Sequence, residues 1–493
     1  MFTFAESDPG LTKEEATAIE EQLRTDLLKA QYSQLKQSRH ALLIVIAGID
    51  GVGKGASIAL LNEWMDARHI QTLAFGEPAQ CDKDRPFLWR YWRRLPAKGR
   101  TGIVFGSWYT DMLAEAASKN PDQKKIQALS RSIRQFETTL AQNNVQVLKL
   151  WYHLSQEAQN KRTQKLLADP DTAWQVRPED LKVNKKFSRL RDAAELTLSL
   201  TSEAHAPWVV IPAADEQLRD ISTGRAVLNA LRKRRIEPIG PLVLPSPNAA
   251  GNGHSVLAKL DYSLKLSDDK YDAQLPQWQG RLARLARNKA FEKIPLVLVF
   301  EGPDAAGKGG AIRRITHALD PRQFRAVPIS APTDEEHAHP YLWRFWRRLP
   351  RPGRIVIFDR SWYGRVLVER VEQYVSQAEW QRAYEEINQF ESQLIDSGAV
   401  VLKFWLAVTK DEQLARFRER ETSTFKSFKI TPEDWRNRKQ WDAYEVAAEE
   451  MFERTSTPEC PWHVVPANDK RHARVTVLEH IVTALENAMN VKG

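Results

Sequence analysis

Two cysteines, Cys81 and Cys460, are all that this chain of 493 residues contains. They cannot build a disulfide framework or a four-ligand zinc site, and sparse cysteine suits a reducing cytoplasm. Long apolar runs are also missing. The longest, Ala41–Ala47 and Ile294–Phe300, have strand length, short of the about 18 residues that a bilayer span needs, so no membrane partner is expected. The opening stretch MFTFAESDPG has no basic region followed by an apolar core, so no signal peptide is expected and the cytoplasm is the expected location. Neither sign of charge dominates: 72 Lys and Arg stand against 63 Asp and Glu, a formal charge of +9. Hydrophobic residues at 42% and charged residues at 27% exclude wholesale disorder and a fibrous chain. The surplus of positive charge leans toward an anionic partner, but a solvated surface gives the same total, so the placement of the basic residues decides.

What the sequence does have is one long internal repeat, residue n matching residue n + 254. Pro86-Phe-Leu-Trp-Arg-Tyr-Trp-Arg-Arg-Leu-Pro96 lies against Pro340-Tyr-Leu-Trp-Arg-Phe-Trp-Arg-Arg-Leu-Pro350, with only aromatic-for-aromatic swaps. The same offset aligns Gly48 with Gly302, Lys54 with Lys308, Ser107-Trp-Tyr with Ser361-Trp-Tyr, and Pro178-Glu-Asp with Pro432-Glu-Asp. A period this long means two fused copies of one domain rather than a solenoid. The stretch 238–256, rich in Pro, Gly and Asn, reads as the linker between a copy at 1–237 and a copy at 257–493.

Each copy alternates short apolar runs with helical patterns. The first offers strands at Ala41–Ala47, Ile70–Phe75, Thr101–Phe105, Val145–Tyr152 and Trp208–Ile211, and a helix at Lys54–Arg68. The second offers Ile294–Phe300, Phe324–Val327, Arg354–Phe358, Val400–Trp405 and Trp462–Val465. Five such strands per copy predict an α/β fold with a parallel sheet covered on both faces.

Gly302-Pro-Asp304-Ala305-Ala306-Gly307-Lys308-Gly309 follows a strand and opens a helix, as does Gly48-Ile-Asp50-Gly-Val-Gly53-Lys54-Gly55. Both fit G-x-x-x-x-G-K. In this pattern backbone N–H groups converge on one anion, the helix N-terminus adds positive potential, and the Lys reaches the outer phosphates. The Ser or Thr that would bind Mg²⁺ after the Lys is Gly in both copies, so carboxylates must hold the metal. Asp304 and Asp50 lie inside the loops.

In the second copy Ile355–Phe358 ends in Asp359 at the C-terminal edge of a strand, where ligands bind in open α/β sheets. Asp359 is therefore placed to hold Mg²⁺ beside the phosphates. Arg360, Arg365, Glu369 and Arg370 follow, and Arg suits phosphoryl oxygens in a fixed fork. A solvated, salt-bridged helix face is the competing reading, chiefly for Arg370. The first copy has Phe105, Gly106 and Asp111 in place of Asp359, Arg360 and Arg365. Phe cannot bind Mg²⁺ and Asp repels phosphate, so the first copy is expected to be inactive. Downstream, Arg416 and Arg420 share a helix face and Lys426 and Lys429 follow, a basic arm that can close on phosphate; the first copy has Arg162, Leu166, Thr172 and Gln175 there. Trp343 and Trp346 recur in both copies and read as packing. Arg344 and Arg348 stay open between packing and nucleic-acid contact.

These motifs resemble the polyphosphate kinase 2 family in its long, two-copy form. The resemblance rests on Gly302–Gly309, on Asp359-Arg-Ser-Trp-Tyr-Gly-Arg-Val-Leu-Val-Glu-Arg370, and on Lys426-Ser-Phe-Lys429. It implies two fused P-loop kinase-like three-layer α/β/α domains, each with a helical lid. It implies phosphoryl transfer from inorganic polyphosphate to AMP, giving ADP, with Mg²⁺ and with the active site in the second copy. By resemblance, Asp304, Lys308, Asp359, Arg360, Arg365, Arg416 and Arg420 form the catalytic set, with Asp304 and Asp359 at the metal. Gly302, Ala305, Ala306, Gly307, Gly309, Lys426 and Lys429 hold phosphate, and Arg365, Glu369 and Arg370 lie at the nucleotide. Phosphorylation of ADP or GDP from polyphosphate, or an ATP-dependent nucleotide kinase, are the alternatives. A nucleic-acid partner is not expected, because it leaves Asp359 and the cradle unexplained. The first copy is expected to serve structure or homo-oligomer contacts.

Overall fold

The computed structural model describes residues 1–176, 186–233, 255–424, 428 and 430–490. All but the last two residues of the linker expected at 238–256 lie outside the described residues. Two compact units divide the chain: Met1–Pro78, Arg90–Gly240 and Pro332–Trp343 form one, and Ala79–Trp89, Pro241–Ala331 and Arg344–Gly493 form the other. Each body thus includes a short stretch from the other half of the sequence.

The first unit holds β1 (Ala41–Gly48), β2 (Ile70–Ala74), β3 (Thr101–Phe105), β4 (Val145–His153) and β5 (Trp208–Pro212) in the order β2-β3-β1-β4-β5. The second holds β6 (Leu296–Glu301), β7 (Phe324–Pro328), β8 (Ile355–Asp359), β9 (Val400–Ala407) and β10 (Trp462–Pro466) in the order β10-β9-β6-β8-β7. The two orders are the same sheet read from opposite edges. Every paired neighbour is parallel. All ten strands fall within two residues of the sequence spans. The helix expected at Lys54–Arg68 ends at Trp64, because Met65 turns extended and the Asp66 carboxylate accepts from Arg68 N, starting a separate 3-10 turn at Ala67–His69.

The central strands are apolar because both their faces are covered. In β9 the period of two separates the faces. Leu402, Phe404 and Leu406 join a core with Leu478 and Ile481 of helix Lys470–Asn490. Lys403 and Trp405 face the opposite side, toward helices Gln377–Asp396 and Trp441–Thr455. There a charged network is sealed in. Lys403 Nζ donates to Glu391 Oε2 at 2.8 Å, to Tyr363 Oη at 3.0 Å and to Thr455 O at 2.7 Å. Trp362 Nε1 and Tyr363 Oη donate to the other Glu391 oxygen. The first unit repeats it with Lys149, Glu137, Tyr109, Trp108 and Thr201. A buried Lys–Glu pair with its remaining donors satisfied tolerates little change. This explains why Trp-Tyr survives in both copies while the neighbouring Asp-Arg does not.

Candidate active site

The cradle joins β6 to helix Lys308–His317. Gly302 has φ +134, and a Cβ there would stand 2.5 Å from Leu406 O, so only glycine allows this close approach to β9. Gly307, at φ +111, turns the chain into the helix whose first residue is Lys308. Lys308 Nζ donates to Gly302 O at 2.6 Å and Pro303 O at 3.1 Å, folded back over its own loop. Burial pushes its ammonium below the ordinary lysine range, aided by the Arg360 charge and opposed by Asp304, Asp359 and Glu301.

Asp304 is the hub of the loop. Arg360 Nη2 donates to its Oδ1 at 2.8 Å and Asn437 Nδ2 donates to its Oδ2 at 2.9 Å. Burial would raise its pKa, but the charges of Lys308 and Arg360 outweigh it, so the carboxyl sits below the ordinary range. Gln413 Nε2 donates to the Asp304 carbonyl at 3.0 Å, steadying the backbone. Asp359 ends β8 opposite Phe300, the residue before Glu301. Arg360 follows with φ +63, held there by its N–H donating to Phe300 O at 3.0 Å. Glu301 is buried, and its Oε1 accepts from Ser361 Oγ at 2.7 Å. Asp304 and Asp359 are hard oxygen donors at one strand edge. Among the described residues no group of three or more His, Cys, Asp or Glu forms a complete metal cage.

The remaining predicted residues separate. Arg416 is buried beneath the loop and all five of its N–H directions are taken. Nη1 donates to Ala305 O and Ala306 O, Nη2 to Ala467 O and Asn468 O, and Nε to Glu412. Its geometry is that of a brace under the cradle, not of a clamp on phosphate. Arg365 pairs with Glu369 at 2.8 Å. Arg370 points into the helices, donating to Tyr384 Oη at 2.9 Å, pairing with Glu450 and lying 4.1 Å over the Trp380 ring. Arg420 is half-buried, with no side-chain hydrogen bond or ion pair to a described residue. Lys426 and Lys429 lie outside the described residues. Trp343 and Trp346 are buried, as the packing reading expects, and Arg344 donates to Ser330 O.

A family model, "Polyphosphate kinase 2 (PPK2)", matches residues 10–238 and again 265–492. The chain belongs to the polyphosphate kinase 2 family. Within that family the chain is 46% identical to a polyphosphate:AMP phosphotransferase of Pseudomonas aeruginosa, over 99% of both chains. It is 40% identical to the Acinetobacter johnsonii protein of the same name, over 96% of this chain and 97% of the relative. A crystal structure of polyphosphate kinase 2 from Pseudomonas aeruginosa PA01 superposes with a TM-score of 0.88 at 44% identity, covering 99% of each chain. Both units therefore have the P-loop kinase-like fold of this family.

Beside the cradle of the second unit lies an open pocket. Glu301, Asp304 and Arg360 form its charged end, and Trp405, Trp441 and Tyr444 its aromatic wall. Helix Pro432–Lys439 carries Asn437 and lies over the loop as the lid-like element of this polyphosphate kinase 2 unit. Sequence reasoning missed Glu301, Gln413, Asn437 and the aromatic wall. Two of these left a signal at the repeat offset. Gln159 makes the same bond to Asp50 O that Gln413 makes to Asp304 O. Glu301 stands where the first copy has Ala47, a loss parallel to that of Asp359. In the first unit Lys54 Nζ donates to Gly48 O at 2.7 Å and pairs with Asp50 at 3.0 Å, so its cradle closes on itself.

Proposed function

We propose that the second copy transfers a phosphoryl group from inorganic polyphosphate to AMP, giving ADP, with Mg²⁺ accompanying the phosphates. The observation that carries this reading is the joint presence of the cradle, Asp304, Asp359 and Arg360 at one sheet edge of the second unit. The first unit has Phe105 and Gly106 instead. The names of the relatives supply the donor and the acceptor class.

The residues divide the work as follows. The loop N–H groups and the N-terminus of helix Lys308–His317 receive the terminal phosphate of the donor. Lys308 swings from its carbonyl partners onto the donor oxygens. Arg360 spans from Asp304 to the phosphoryl group in transfer, neutralising charge that spreads over its equatorial oxygens. Asp304 and Asp359 would hold Mg²⁺, which supplies electrostatic stabilisation of the transferring phosphoryl group when bound. The AMP phosphate is already anionic near neutral pH, so no strong general base is needed. Positioning and electrostatics supply the rate. The acceptor enters the pocket beside the cradle, its base against Trp405, Trp441 and Tyr444 and its phosphate toward Arg360. Among the described residues no helix is long and apolar enough to cross a membrane, in keeping with the cytoplasmic location we propose. The first unit serves structure or self-association.

A donor–acceptor matrix tests the reading. Purified protein with Mg²⁺ is given polyphosphate or ATP as donor and AMP, GMP, ADP or GDP as acceptor. ADP formed from AMP and polyphosphate alone supports it. ATP as the sole effective donor overturns it.

A further inference from the structure

In the first unit the place that corresponds to the acceptor pocket is filled by the chain itself. Phe2 is fully buried. Its ring lies face to face on His153, with centroids 4.0 Å apart and planes 13° apart, and 6.3 Å from the Trp151 ring. The Arg191 guanidinium stands 5.8 Å from its centroid. By the repeat offset Trp151 matches Trp405, His153 matches Ala407, Phe187 matches Trp441 and Arg191 matches Glu445. All four matched residues of the second unit line its open pocket. Leu113, Leu154, Phe187 and Leu190 pack in the same core as Phe2.

The segment is fastened as well as inserted. Arg191 Nε donates to Glu6 Oε1 at 2.6 Å, and His153 Nε2 shares a hydrogen bond with the same oxygen at 3.0 Å. Ser155 Oγ donates to Asp8 Oδ2. A slot lined by an imidazole face, a guanidinium and an indole suits a flat ring. The basic Lys54 of the cradle belongs to the same unit.

We infer that the first unit keeps a purine-nucleotide pocket and that Met1–Asp8 is an intramolecular plug holding it shut. Phe2 occupies the position of the base, and Glu6 engages Arg191 and His153, which would otherwise line that base pocket. The unit would bind nucleotide without transferring phosphate to it, because Phe105 and Gly106 replace the Asp and Arg at the strand edge. This inference rests on the reading of the second pocket as the AMP site.

The test is the number of AMP equivalents bound per full-length chain, measured by calorimetry without donor. Wild type binds one, and Trp405→Ala removes it. Phe2→Ala combined with Glu6→Ala binds two, and turnover from polyphosphate to AMP is retained. A variant lacking Met1–Asp8 behaves the same way and covers the case in which the paired substitution folds poorly. One equivalent in a well-folded unplugged chain overturns the plug. No binding by wild type overturns the acceptor reading instead, and in that case one equivalent gained on unplugging still supports the plug.

Discussion

Replacing Arg416 by Ala separates a brace from a clamp. The substitution removes five donated hydrogen bonds and leaves the carbonyls of Ala305, Ala306, Ala467 and Asn468 without their partner. Individual bonds to a charged group contribute about 1.5–3 kcal/mol, but they act here as one unit and do not add. Breaking a buried charged network costs about 3–5 kcal/mol. For a body of this size each kcal/mol lowers Tm by about 2–4 °C, so the loss is roughly 6–20 °C. Water entering the vacated space recovers part of it and sets the lower end. Scanning calorimetry of protein without substrates is the assay, because a residue that touches only phosphate does not move that Tm. Turnover falls as well, since the loop N–H groups lose their aim. If Arg416→Ala melts within about 2 °C of wild type while turnover collapses, Arg416 is a phosphate clamp and the brace is refuted.

Asp359→Asn is expected to lower turnover by about 100-fold or more with the melting temperature kept, whereas Asp50→Asn leaves turnover nearly unchanged; comparable losses in steady-state assays contradict a single active copy. Lys403→Met leaves Glu391 charged in the core without its cationic partner and costs about 3–5 kcal/mol, while Lys403→Met with Glu391→Leu recovers most of it in denaturant titrations. Burial, with the neighbouring His480, holds His463 down to about 4. A base whose folded pKa lies below its unfolded value contributes stability at neutral pH that is lost as pH falls from about 6.5 toward 4, on the order of 2–3 kcal/mol. His463→Phe should flatten that part of the stability-against-pH curve, and an unchanged curve would show that the ring is solvated.

The sequence made legible whatever local pattern or the repeat controls. Apolar runs marked the ten strands because both sheet faces are covered. G-x-x-x-x-G-K marked the cradle because glycine alone fits against Leu406. Comparison of the copies located Asp359 and Arg360. The bracing contacts of Arg416 were not legible, because an i, i+4 spacing reports a shared helix face and not what lies beneath it; its partners sit on loops 51 to 111 residues away. Asn437 and the aromatic wall were invisible for the same reason, since the lid helix meets Asp304 across 133 residues. Phe2 carried no signal at all. A lone aromatic near the start of a chain has no period, and only the matched positions of the two units show what it fills.

The two copies also differ in where they hold strained backbone, and that difference bears on the proposal that the second copy is the active one. Ala305 and Arg360 both stand at φ +63 in the left-handed region. At the matching positions the first copy has Gly51 at φ +83 and Gly106 at φ +76. A non-glycine residue there costs about 1 kcal/mol or more. On the proposed mechanism the second copy bears that cost at Arg360 because the side chain must reach both Asp304 and the phosphoryl group. Arg360→Gly therefore removes the strain along with the guanidinium. The lost pair with Asp304 opposes the gain: Arg360 is 41% and Asp304 13% exposed, and because Asp304 keeps its bond from Asn437 the loss is about 1 kcal/mol. Substrate-free Tm is expected to hold or rise slightly while turnover falls by about 100-fold or more. A Tm drop of several degrees would mean that the ion pair, rather than the chemistry, keeps Arg360 in place.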